Sequence, residues 1–92
     1  MRQIPFNYSN DTCKGVGLDI KWQTGLIKDG VANGSTVEQV IRAAILRLEH
    51  YQTTLPCEEN LQAIESLYLG IRALERRARD RARRGVMGTE SL

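Results

Sequence analysis

Histidine occurs once and cysteine twice among the 92 residues. A single His50 excludes most histidine-based catalytic groups, and Cys13 and Cys57 lie too far apart for a metal-binding spacing. There is no long apolar run, so no membrane span is expected. The opening MRQIPFNYSND lacks an apolar signal core, which predicts no export and, with it, two reduced thiols in a cytoplasm. Aromatics are scarce: Phe6, Tyr8, Trp22, Tyr51 and Tyr68 complete the set. The length allows one small domain.

What is abundant is charge, unevenly placed. Residues 76–84 read RRARDRARR, six arginines and one aspartate, a local charge of +5, while the net charge is +2, so the remainder sums to −3. A mildly acidic body with a basic end expects an anionic partner.

Residues 1–17 are polar and turn-rich. Leu18 to Trp22 alternate, which predicts a short strand with Leu18, Ile20 and Trp22 on one face. Residues 23–34, QTGLIKDGVANG, hold three glycines and read as a loop, with a short extended piece at Leu26 and Ile27. Ser35-Thr36-Val37-Glu38 then reads as a helix start, Ser35 capping the first turn and Glu38 reaching back to its amide. Val37, Val40, Ile41, Ala44, Ile45 and Leu48 recur at helical spacing and predict a helix over 36–52, broken by Thr53, Thr54 and Pro56. Leu61, Ile64, Leu67, Ile71, Leu74 and Ala78 predict a second helix over 57–84, stopped by Gly85. Gly70 within it reads as a site of close helix packing. The expected fold is mainly α with a small β part: residues 1–34 form a strand and Gly-rich loop, 35–85 an antiparallel helical hairpin, and 86–92 a tail.

One hairpin makes a poor core. Burying six or seven apolar side chains yields roughly 10–20 kcal/mol, while ordering the backbone costs about 1–2 kcal/mol per residue. A homo-oligomer is therefore expected. Helices of about 26 and 42 Å, paired from the turn outward, bring Leu74 and Glu75 level with Ser35 and Thr36. The basic end then projects beside the Gly-rich loop and the first helix N-terminus, a combination suited to phosphate.

The helical projection divides the arginines. Arg81 lies near the apolar stripe with Arg77 and Arg84 flanking it, and these three are the candidate ligand contacts; inter-subunit ion pairing is their other reading. Arg76, Arg79 and Arg83 point the other way, as a solvated face with Glu75 and Asp80 placed to pair with some of them. Trp22 has two readings, a ring stacked on a base and a core ring under the hairpin. His50 reads as a surface residue near a helix end. Cys57 reads as a small buried residue rather than a nucleophile, having no base to activate it.

Four segments, in order, carry a family resemblance: WQTGLIKDGVANG, VEQVIRAAILRLEHYQ, CEENLQAIESL and RDRARRGVMGT. They resemble the phage anti-defence hairpin family, the Thoeris anti-defence sponges and the related anti-CBASS sponges, from Trp22 to Thr89. The loop looks like the family's aromatic-Gln-x-Gly-x-Ile pattern ending in Gly-Val-Asn-Gly, with Ala32 added. The tail looks like Arg-x-x-Arg-Gly-Val-Glu-Gly-Thr, with Met87 in place of the glutamate. The resemblance implies a non-enzymatic homo-oligomer, commonly a hexamer, in the cytoplasm of an infected bacterium. It implies sequestration of glycocyclic ADP-ribose and, in some members, cyclic di- or trinucleotides, with no cofactor. By motif it places Asn33, Gly34, Asn60, Arg81, Arg84, Gly85 and Thr89 in the ligand site, beside Trp22 and Arg77.

A small basic-helix nucleic-acid binder is the alternative, since six arginines suit a phosphate backbone. Against it stand the shortness of the run, its acidic flanks and the lack of a helix-turn-helix pattern. A nuclease or phosphodiesterase would need metal carboxylates or a histidine base, and no such cluster is legible.

Overall fold

The computed structural model describes residues 6–25 and 30–83. The chain divides into two compact units whose sequence boundary falls between Thr36 and Val37.

The first unit holds a three-stranded antiparallel sheet in the order β1-β2-β3: β1 Phe6–Tyr8, β2 Thr12–Gly15 and β3 Leu18–Lys21. The polar NYSNDT stretch makes the first turn by local hydrogen bonding. The Ser9 hydroxyl accepts the amides of Asp11 at 3.3 Å and Thr12 at 3.0 Å, and the Ser9 amide donates to the Thr12 carbonyl at 2.8 Å. The second turn pairs Gly15 with Leu18 and places Gly17 at φ 77°, which glycine adopts without a Cβ clash. Two of these strands were not expected. Where the sequence suggests one strand, Leu18 to Trp22, there are three, and β3 itself ends at Lys21. Almost all of β1 and β2 is exposed, so neither shows a buried-face alternation; Cys13, paired with Ile20, is the buried residue of the sheet.

The chain leaves β3 through Trp22, whose amide donates to the Asp11 carbonyl at 2.9 Å. Trp22 also forms a parallel bridge with Ser35. Ser35 donates its amide to the Lys21 carbonyl at 2.6 Å and accepts the Gln23 amide at 2.8 Å. This corrects the expected helix start: with its backbone engaged in the bridge, Ser35 precedes the cap, and Thr36 occupies the cap position.

The second unit is a helical hairpin, α1 Val37–Thr54 and α2 Glu58–Arg83. Ile45 and Ile71, each 2% exposed, are its buried residues, and Ile41, Leu48, Ile64, Leu67, Leu74 and Ala78 are half-buried. Thr53 and Thr54 do not break α1. Their hydroxyls donate to the carbonyls of His50 at 2.6 Å and Tyr51 at 3.2 Å, so they finish the last turn. The connection is closed by side chains: the Gln52 Oε1 accepts the Cys57 amide at 3.1 Å, and the Asn60 Nδ2 donates to the Leu55 carbonyl at 3.3 Å. Cys57 sits at the start of α2 and is exposed, not buried as expected, because the turn carries it outside the helix interface. Gly70 is also corrected. A Cβ there would meet nothing within 4 Å, so this hairpin does not need glycine for close packing.

Candidate functional site

Trp22, Asn33 and Gly34 come together in the first unit. The Asn33 carboxamide copies a strand pairing: its Oδ1 accepts the Thr24 amide at 2.9 Å and its Nδ2 donates to the Thr24 carbonyl at 2.8 Å. The Asn33 amide in turn donates to the Oε1 of Gln23 at 2.8 Å, and Gln23 is only 7% exposed. Gln23 is thus a structural residue of this loop: it stands in the aromatic-Gln-x-Gly-x-Ile pattern but was not among the expected site residues.

Gly34 lies against the Trp22 backbone. A Cβ at that position would overlap the Trp22 carbonyl, with the Lys21 carbonyl oxygen as near. The absence of a side chain is what lets Ser35 reach its bridge. Trp22 is half-buried, and its Nε1 is sealed from solvent with no hydrogen-bond partner among the described residues. An indole N–H in that state favours any rearrangement that supplies an acceptor.

Asn60, Arg77 and Arg81 belong to the second unit. Asn60 is spent at least in part on the turn. Arg81 is half-buried and Arg77 exposed, in keeping with Arg81 lying nearer the apolar stripe. Arg84, Gly85 and Thr89 lie outside the described residues, as do Leu26 and Ile27. α2 has 26 residues against 18 in α1, so it is longer by about 12 Å. Glu75 pairs with Arg42 across the hairpin at 4.0 Å, not with an arginine of the basic end. Asp80 pairs with Arg83 at 3.6 Å, as the spacing predicts.

Among the described residues no three His, Cys, Asp or Glu side chains gather as metal ligands. No helix among them is long and apolar enough to cross a membrane.

No protein-family model matches the chain. Thoeris anti-defense 1 of Bacillus phage SBSphiJ7 is 35% identical over 71 residues, covering 76% of this chain and 50% of that protein. The chain therefore spans about half the length of the curated relative it matches. The resemblance read from the four motifs stands: this chain is a distant relative of Thoeris anti-defense 1.

Proposed function

We propose that this protein is a phage anti-defence sponge, which binds a nucleotide-derived immune signal and holds it unreacted. The observation that carries the reading is the 71-residue similarity to Thoeris anti-defense 1. Glycocyclic ADP-ribose is the first candidate signal, with cyclic di- and trinucleotides as further ones. Arg77, Arg81 and Arg84 are the phosphate contacts in this reading, and Trp22 stacks on a base. Asn33, Gly34 and Asn60 act by shaping: the first two hold the loop base and the third holds the hairpin turn. Gly85 and Thr89 complete the site from the tail. The working form is a homo-oligomer, a hexamer by family resemblance. Support for assembly comes from the small core: among the described residues of the hairpin Ile45 and Ile71 are the buried apolar side chains, while Val37, Leu46, Leu55 and Leu69 are each more than half exposed.

The test is incubation of the protein with glycocyclic ADP-ribose, followed by removal of protein-bound material and heating. The free ligand should fall on incubation and return intact on heating. Recovery of a hydrolysed product would make the protein an enzyme, and no depletion of any of the candidate signals would end the sponge reading.

A further inference from the structure

The outer face of α2 carries arginines that signal binding, as proposed above, does not use. Arg72, Arg76, Arg79 and Arg83 follow one another at intervals of four, three and four residues. They therefore share one helical face, within an arc of about 60°, over about 16 Å of axis. All four are exposed. The half-buried and buried stripe of Ile64, Leu67, Ile71 and Leu74 is turned away from it, by about 90° to 170° around the helix. Of the acids nearest in sequence, one pairs within the row and one outside it. Glu75 goes to Arg42, and Asp80 takes Arg83 in an exposed pair whose arginine side chain is 78% accessible. Among the described residues Arg72, Arg76 and Arg79 have no ion-pair partner. Arg76, Arg79 and Arg83 border a shallow, open depression with Ala82.

From this one-sided row of four exposed guanidinium groups we infer that the outer half of α2 is a docking track for the phosphodiester backbone of nucleic acid, bound without regard to base sequence. A regular cationic row matches a regular row of single negative charges, and arginine forks pair with phosphate oxygens in two-point hydrogen bonds. Protein partners are disfavoured by the same surface. A protein interface needs an apolar centre, and the exposed apolar residues beside this track, Tyr68 and Leu69, lie at its inner end, before Arg72. Between Arg72 and Arg83 there is neither an aromatic nor an amide side chain to read bases, Tyr68 lying one turn before the first arginine. Glu58 and Glu65, on the same face nearer the turn, confine the cationic part to its outer half.

The experiment uses the full chain in its native assembly and a fluorescent duplex DNA of about 20 base pairs, two helical turns, titrated at several salt concentrations. Four neutralised phosphates per chain predict a log–log salt slope of about −3.6 for duplex and about −2.8 for a single strand. Affinity for duplex should fall about a hundredfold between 50 and 200 mM salt, equally for unrelated sequences. The double variant Arg76→Gln/Arg79→Gln should lower the slope by about two while leaving glycocyclic ADP-ribose binding as in the parent. No duplex binding at low salt overturns the inference. So does binding whose slope the double variant leaves unchanged. Displacement of the duplex by polyglutamate as readily as by polyphosphate of equal charge would overturn it in favour of an acidic polypeptide. Because duplex and signal are measured separately on the same variant, failure of the track and failure of the sponge reading give different results.

Discussion

The Asn33 carboxamide pairs with both backbone groups of Thr24, accepting the amide at 2.9 Å and donating to the carbonyl at 2.8 Å. A side chain here does what a strand neighbour would do, and it closes the loop base beside Trp22. Asparagine is required in both senses, one acceptor and one donor. Asn33→Asp keeps the acceptor and turns the donor into a carboxylate oxygen facing the Thr24 carbonyl. We expect a loss of about 0.5–1.5 kcal/mol in the stability of this unit, read by urea denaturation. Asn33→Ala should cost less, because both Thr24 groups regain water at this exposed position. A variant with aspartate as stable as the parent would remove the donor from the account.

Gly34→Ala should break the Trp22–Ser35 bridge, since the added methyl overlaps the Trp22 carbonyl. Overpacking of this kind costs about 1–3 kcal/mol. Hydrogen exchange gives a local readout: the Ser35 and Gln23 amides should lose protection while those in the middle of α1 keep theirs. Unchanged protection at Ser35 would show that the backbone absorbs the methyl elsewhere.

Gly70→Ala should do the opposite. A Cβ at Gly70 meets open space in the middle of α2, and alanine is preferred to glycine in a helix interior by about 1 kcal/mol. The expected result is a higher urea midpoint with no change in particle mass by light scattering. A fall in particle mass would instead place Gly70 in a contact between subunits.

The two arginine faces should separate in signal binding. Arg81 is half-buried, whereas Arg76 is exposed on the outer face. A charged hydrogen bond to phosphate is worth about 1.5–3 kcal/mol, so Arg81→Ala or Arg84→Ala should weaken signal binding at least about tenfold. Arg76→Ala or Arg83→Ala should change it by less than about threefold. Calorimetry with glycocyclic ADP-ribose, with particle mass checked for each variant, decides this. Equal losses on both faces would mean that the arginines act as diffuse charge.

Assembly is checked by light scattering on a size-exclusion column at micromolar concentration. More than one chain per particle is expected, because chains of this size bury little core by themselves. The apolar residues left exposed on α1, Val37, Leu46 and Tyr51, are available to such contacts. A well-folded monomer would overturn the expectation.

Both helices were legible in the residues themselves. Val37 to Leu48 and Leu61 to Ala78 repeat at the helical period, and a buried stripe of that period has few other ways to be satisfied. Both ends of α1 and the start of α2 moved by one or two residues; at α1 this is because caps are settled by competing hydrogen bonds, Ser35 being taken by its bridge to Trp22 and Thr53 and Thr54 turning their hydroxyls onto helix carbonyls. The separation of Arg81 from the outer arginines also followed from sequence, since face membership on one helix is a matter of counting. What only the tertiary structure decided lies in contacts between residues distant along the chain. β1 and β2 have almost no buried face to give them a pattern, and their strand character comes from pairing with each other and with β3. Gly34 is dictated by the Trp22 carbonyl, a neighbour that no local rule reveals. Glu75 had arginines on its own helix and joined Arg42 on the other, because the antiparallel packing brought a second helix within reach. Periodicity encodes which side of an element is covered; it does not encode what covers it.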